Sequence, residues 1–491
     1  MRLAWFSPFP PVHTGIAGVS AALVAALRAR GHEIDLYPEG SAHDFVWRHR
    51  QARYELIVYQ FGNASHHDYQ WAYALNYPGL VVLHDTRLHH ARAAFLLRER
   101  RDADYRAEFA WNHPGASPDL AELAVAGVDS RLYYDWPMVR ALVESSRLTA
   151  VHGEGARAEL LGQLEYQMPG DTMGERRPSP LAAIRLGHGT AVTPDRAHHA
   201  RARVRAHYAI PEDAVVFGCF GGLTPEKRVP QILAAFRAIL PYAPGARLLF
   251  GGARAAHYDI AADITAHGLD ERATMTGYLD TDDDLTDHIA ACDVTLNLRW
   301  PTARETSGPW LQALAAGRPT IVTDLIHQGD VPSLDPRTWT GNGLLALGFG
   351  HLEEGSVSPV LKPKAQNLKP ICVAIDILDE DHSLRLAMRR LAADAALREQ
   401  LGAAAREWWA REHSLDAMVE DYERVMHDAA ARPDPDVDLP AHMRNPGDRK
   451  IGALLQSFGL PDPLTQKAEG RGRRFEILTS QRYNRRPCRS R

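Results

Sequence analysis

Two successive series of short apolar runs, each alternating with amphipathic helical stretches, constrain this chain more than any other feature. In the first series residues 3–6 read as a strand and 17–30 as a helix whose apolar positions recur at three and four. Strands at 33–36, 56–59, 80–83, 148–151 and 183–186 follow. A second series places strands at 215–217, 247–250, 273–275, 294–296 and 320–322, again with helices between them. Short strands separated by helices predict a parallel sheet covered on both faces. The expected fold class is therefore α/β, with two doubly wound domains facing each other across a cleft. Ligands in such sheets bind beyond the carboxyl ends of the strands, so the loops there carry the functional information.

At 491 residues the chain exceeds what one hydrophobic core supports. The expected division is 1–192, 193–405, a helical segment 406–432 and a tail 433–491. Residues 381–411 and 414–431 read as helices, and Pro433-Asp434-Pro435 stops the pattern. A composition of 45% hydrophobic and 24% charged residues is that of a globular protein. A net charge of −5 leaves no basic excess for a nucleic-acid backbone. Cys219, Cys292, Cys372 and Cys488 are scattered without CxxC spacing, against a zinc knuckle or a redox pair. The opening Met1-Arg2-Leu3-Ala4-Trp5-Phe6 runs straight into a strand, and no apolar run of about 18 residues occurs. A soluble cytoplasmic enzyme is expected. The stretch 169–180 reads as a loop, and the segment from Lys467 is a basic tail.

The loop after the first strand, Ser7-Pro8-Phe9-Pro10-Pro11-Val12-His13-Thr14-Gly15-Ile16-Ala17-Gly18, opens a helix with small residues that admit a ligand to free N–H groups. It is not GxGxxG. Two further strands end in polar clusters: Gly62-Asn63 with His66, His67 and Asp68, then His84-Asp85 with His89 and His90. Imidazole there can donate to or accept from sugar hydroxyls and leaving groups. The competing reading is a metal site, but neither HExxH spacing nor supporting cysteines occur. Among these histidines, a structural role suits His66 and His90 better than His84.

In the second half, Gly221-Gly222-Leu223-Thr224-Pro225-Glu226-Lys227-Arg228 puts two cations after two glycines, where a diphosphate can be neutralised. Farther on, Glu305-Thr306-Ser307-Gly308-Pro309 leads into a helix that ends at Gly317-Arg318-Pro319. Ser307 or Thr306 suits the N-cap, Pro309 the first turn, and Gly308 a close ligand approach. The helix start is an anion site, and Glu305 just ahead of it is an acceptor for sugar hydroxyls.

Together these motifs resemble the retaining GT-B glycosyltransferases of the GT4 type, including bacterial polysaccharide mannosyl- and glucosyltransferases, over residues 1 to about 431. The resemblance implies a hexosyl transfer from a nucleotide diphosphate sugar, of GDP-mannose or UDP-glucose type, to a glycan or lipid-linked acceptor. It implies no cofactor and no metal. Lys227, helped by Arg228, would neutralise the departing diphosphate, Glu305 would hold the transferred sugar, and His84 would lie near the anomeric carbon. Gly221, Gly222, Thr306, Ser307, Gly308 and Gln312 would line the donor side. Gly15, Ile16, Asn63, His67, Asp85 and His89 would line the acceptor side. A lipid-linked acceptor would bring the enzyme to the inner membrane face. The helices from Glu407-Trp408-Trp409 to Tyr422 would cross back onto the first domain.

Two positions depart from the family pattern. Its second glutamate is replaced by Gln312, one residue closer to Glu305, and its arginine five residues before the lysine is Gly222. Arg228, Arg299 and Arg304 are candidates to compensate. These departures keep open a silent carbohydrate-binding or scaffold protein, and the fold leaves a nucleotide-sugar epimerase as a further alternative.

Overall fold

The structure, a computed structural model, describes residues 1–128, 131–166, 181–255, 257–323, 331–342, 369–444 and 459. The 169–180 loop and the tail from Lys467 lie outside the described residues. Strands β1 (Arg2–Phe6), β2 (Glu33–Tyr37), β3 (Leu56–Phe61), β4 (Leu80–Leu83), β5 (Leu148–His152) and β6 (Leu181–Ile184) form a six-stranded sheet in the order β2-β1-β3-β4-β5-β6. All its pairs are parallel, with Leu3 opposite Leu56, Phe61 opposite Leu83 and Leu83 opposite Val151. Every residue of β3, β4 and β5 is buried, as expected of strands covered on both faces.

The second sheet contains β7 (Val216–Phe220), β8 (Arg247–Gly251), β9 (Ala273–Gly277), β10 (Val294–Asn297), β11 (Thr320–Thr323), β12 (Ser333–Leu334), β13 (Gly341–Asn342) and β14 (Cys372–Ile375). Its order is β13-β12-β14-β11-β10-β7-β8-β9, parallel throughout except for the short β12–β13 pair. The order reverses between β1 and β3 in the first sheet and between β7 and β10 in the second. At these two reversals adjacent loops diverge and leave a crevice at the strand ends.

Between β4 and β5 the chain builds helices that the strand–helix alternation does not foresee, among them His89–Arg98, Asp102–Asn112 and Pro118–Val125. Their core joins Ala93, Leu96, Tyr105, Phe109 and Ala124. Arg92 and Glu108 meet there as a buried bidentate pair, Nε–Oε2 2.7 Å.

The predicted helix 381–411 divides into Glu380–Ala393 and Ala395–Glu412. Asp394 is extended at the break, and its carboxylate accepts from Leu397 N at 2.9 Å to start the second helix. Ser414 caps Leu415–Ala430 in the same way. This last helix lies on the first sheet: Tyr422 stacks on Trp5 at 5.9 Å, and Asp421 accepts from both the backbone and the guanidinium of Arg185 at 2.8 Å. One core cluster joins Trp5, Val58 and Val82 of the first sheet with Trp310 and Leu314 of the second lobe and Trp408 and Tyr422 of the returning helices. Residues Met1–Pro440 accordingly form one compact unit. Among the described residues, no helix is long and apolar enough to cross a membrane.

Candidate functional site

The second lobe's crevice is built around two glycines. At the end of β7 Gly221 has φ 100°, and Gly252, with φ 150°, approaches it so closely that a Cβ on Gly252 would lie 2.0 Å from the Gly221 carbonyl oxygen. A Cβ on Gly221 would lie 3.2 Å from Lys227 Nζ and 3.5 Å from Pro309 Cγ. The bare backbone at Gly221 thus lets the Lys227 ammonium stand beside the first turn of the helix Gly308–Ala315. Lys227 ends the short turn Pro225–Lys227, is buried, and donates to Phe220 O at 2.7 Å. Burial, reinforced by the Arg299 guanidinium, lowers its pKa to about 8, with Glu305 acting in the opposite direction.

The loop from β10 to the helix carries the other charges. Arg299 pairs with Glu305 (Nε–Oε1 2.7 Å), and Thr302 donates to Glu305 Oε2 at 2.9 Å, so the carboxylate is oriented from both sides. Arg304, in the left-handed region at φ 65°, reaches Glu159 of the first lobe at 3.0 Å, where Arg87 also donates at 2.8 Å. Ser307 is the N-cap but makes no side-chain capping bond, and Pro309 in the first turn has no N–H to donate. The remaining first-turn N–H groups and the positive end of the helix dipole suit an anion. Thr306, Ser307 and Gly308 sit at this start, partly exposed; Gly222 is exposed.

Across the cleft, Gly62 follows β3. A Cβ there would lie 2.5 Å from Ile16 Cδ1, 3.0 Å from His67 Nε2 and 3.2 Å from Asp85 Oδ2, so a side chain would displace all three. Asp85 Oδ2 accepts from Asn63 N at 2.6 Å, while Asn63 Oδ1 accepts from Ala91 N and ties the next helix to the site. Burial pushes the Asp85 carboxyl up to about 7; the Glu305 carboxylate adds to the rise, and the Asn63 N–H and Arg299 oppose it. Asp85 of one lobe and the Arg299–Glu305 pair of the other therefore face a common space. Gly15 opens the helix Gly15–Ala29 at an exposed turn capped by Thr14.

Several expected residues lie elsewhere. His84 is buried in a network rather than presented to the cleft: Nε2 is 2.7 Å from Gln60 Oε1, Nδ1 is 3.1 Å from His152 Nε2, and Tyr422 also donates to Gln60. Burial lowers its pKa well below the usual value. His66 and His90, expected to be structural, are exposed. His89, expected to line the acceptor side, packs against Tyr105 inside the helical insertion, with Nε2 2.8 Å from its hydroxyl. His67 remains beside Gly62, its Nδ1 at 2.8 Å from Gln60 O, and burial lowers its pKa to about 4.

Of the residues expected on the donor side, Arg228 is held in a bidentate pair with Glu380 (Nε–Oε1 2.8 Å), which occupies its guanidinium. Gln312 is buried with its amide donating to Thr286 and to Asp282 O, so it is committed to a neighbouring helix rather than offered to a ribose. Of the three arginines named to compensate for Gly222, Arg299 is the one brought to Lys227. Its proximity depends on the β7–β10 reversal, which sequence spacing does not reveal. His188, not singled out in the sequence, lies against Gly308; its signal was the Gly187-His188-Gly189 triplet after β6. Among the described residues no three His, Cys, Asp or Glu side chains gather to hold a metal.

Residues 214–339 match the family described as glycosyl transferases group 1. No curated protein matches the chain. Among solved structures, sucrose-phosphate synthase from Thermosynechococcus elongatus superposes with a TM-score of 0.57 at 14% identity, covering 87% of this chain and 98% of that one. Anabaena HepE, solved with UDP and glucose, gives 0.51 at 13% identity over 87% and 99% of the two chains. WaaG, a glycosyltransferase of lipopolysaccharide biosynthesis, gives 0.51 at 13% over 86% and 99%. The chain thus has the GT-B fold of these glycosyltransferases, and the match to the group 1 glycosyl transferases lies in its second lobe.

Proposed function

We propose that the protein is a retaining glycosyltransferase that moves a hexosyl group from a nucleotide diphosphate sugar to a hydroxyl of a glycan or lipid-linked glycan. The observation that carries this reading is the meeting of Lys227, Arg299 and the uncapped start of helix Gly308–Ala315 at the strand-order reversal, opposite Asp85. Lys227 and the helix start take the charge that develops on the departing diphosphate, and Arg299 adds to it, so no metal is required. Glu305, held by Arg299 and Thr302, accepts hydroxyls of the sugar. The acceptor hydroxyl gives its proton to the leaving phosphate on the same face, and catalysis rests on positioning and electrostatics. HepE has been solved with UDP-glucose, which favours a UDP-sugar as the first donor to try; a GDP-hexose is the second. The work would take place at the cytoplasmic membrane face, where lipid-linked acceptors are found.

The committed side chain of Gln312 and the missing cation at Gly222 favour a second reading, sugar binding without transfer. Incubation with UDP-glucose and GDP-mannose decides between them. Transfer predicts slow donor hydrolysis that persists in excess EDTA and leaves the sugar with its original anomeric configuration. Binding without any hydrolysis supports the silent reading, and a loss in EDTA restored by metal contradicts the metal-free mechanism.

A further inference from the structure

Beyond β6 the chain passes from one lobe to the other through Gly187-His188-Gly189, and both glycines are required by contact. A Cβ on Gly187 would lie 2.6 Å from Ser414 O and 3.0 Å from Leu415 Cα. Gly189 has φ 95°, and its Cβ would lie 3.1 Å from Gln312 Cα and 3.2 Å from Ala315 Cβ. The linker is therefore wedged between the returning helices and the helix Gly308–Ala315. His188 is fastened at both backbone groups: its N–H donates to His413 O at 3.2 Å, and its carbonyl accepts from Trp409 Nε1 at 2.8 Å. With the backbone so held, the imidazole falls on the helix start, Cδ2 and Nε2 each 3.2 Å from the position a Cβ on Gly308 would take.

We propose that His188 is a donor-binding residue whose imidazole hydrogen-bonds a phosphate oxygen of the nucleoside diphosphate held at the start of helix Gly308–Ala315. The proposal rests on the nucleotide-sugar reading above. It supplies from the linker a contact that Gln312 and Gly222 do not provide. Lys227 flanks the same first turn through Pro309, so a diphosphate there lies between an ammonium and an imidazole.

The groups facing the ring are Asp282 from the helix Asp282–Ala291, and Gln312, whose side chain hydrogen-bonds it, with the positive end of the Gln312 helix. Burial lowers the His188 pKa below the usual histidine value, with Asp282 and Gln312 opposing. Burial therefore favours the neutral imidazole in the free site. An arriving diphosphate stabilises the imidazolium, so binding raises its pKa, and by linkage binding strengthens as pH falls.

Calorimetric titration of UDP and GDP between about pH 6 and pH 8 into the wild-type protein, His188→Ala, His188→Gln and Lys227→Met tests this. His188→Ala is expected to bind about tenfold more weakly at pH 7, the scale of one hydrogen bond to a charged group. His188→Gln keeps a donor and recovers part of that loss. It lacks the titrating proton, so the wild-type advantage over it widens toward pH 6. A merely structural histidine would not produce that widening. Circular dichroism establishes that each variant is folded, and the glutamine variant, of similar reach, guards against a folding failure of the alanine. Wild-type affinity and pH dependence in both histidine variants, with binding lost in Lys227→Met, would overturn the proposal and leave the donor-site reading intact. Failure of the wild-type protein to bind either nucleotide would overturn both.

Discussion

Replacing Lys227 with methionine is expected to reduce sugar transfer by about 10²- to 10³-fold, the range found when one preorganised stabiliser of developing charge is removed. The melting temperature should change little. A buried ammonium is costly, and the Lys227 pKa near 8 against an ordinary 10.5 reflects that cost. Between those values the unfolded chain holds more protons than the folded one, so the folded state gains stability as pH rises through that window. Methionine removes the penalty at pH 7 and forfeits one hydrogen bond, to Phe220 O; the two changes oppose each other. Nucleotide affinity of the wild-type protein should weaken as pH rises past 8, where the free amine becomes neutral, whereas Lys227→Met should lack this limb. Thermal denaturation together with a donor-turnover assay checks both. A destabilised variant with undiminished turnover would assign Lys227 to the framework.

The second large effect is expected at Glu305. Glu305→Gln retains the shape but loses the charge that binds paired hydroxyls, and transfer should fall by about 10²-fold, equivalent to one or two charge-assisted hydrogen bonds. The fold should survive, because Arg299 is about one-third exposed and its pair with Glu305 contributes little to stability. The same change acts across the cleft. Asp85 titrates near 7 partly because the Glu305 carboxylate repels its charge, so neutralising Glu305 should lower the Asp85 pKa. A raised carboxyl pKa means the folded state holds more protons between the ordinary 3.8 and about 7, so this group's contribution to stability falls as pH rises through that window. In Glu305→Gln that fall should be smaller, giving a stability difference from wild type that grows from pH 4 to pH 7. Urea unfolding at several pH values measures it; an unchanged difference would mean the two carboxyls do not share the cleft.

Much of the architecture was legible because strands buried on both faces are written as short, mainly apolar runs. β3, β4 and β5 are entirely buried, and their runs begin at the residues expected. The helices between β4 and β5 were not foreseen; Asp102–Asn112 and its neighbours mix charged and aromatic residues and pair Arg92 with Glu108 in their core. Positions were readable where residues follow a strand or open a helix: Lys227 comes after β7, and Glu305 and Gly308 stand at the start of the helix Gly308–Ala315, as expected. Site residues were misread where lateral strand order decides the outcome. Leu83 pairs with Val151, which sets His84 beside His152, and Gln60 arrives from the neighbouring β3. A histidine at a strand end is thus available to a ligand only if adjacent strand ends leave it unpaired. Asp85, the next residue, takes the cleft position instead. Arg228 was misread for a similar reason, since Glu380 lies 152 positions away in sequence.

The central claim is that a diphosphate binds between Lys227 and the start of helix Gly308–Ala315. A crystal structure of the protein with UDP or GDP measures this most directly. The account predicts phosphate oxygens within about 3 Å of Lys227 Nζ and of a first-turn backbone N–H of that helix. A diphosphate bound elsewhere, with Lys227 still directed only to Phe220 O, would contradict it.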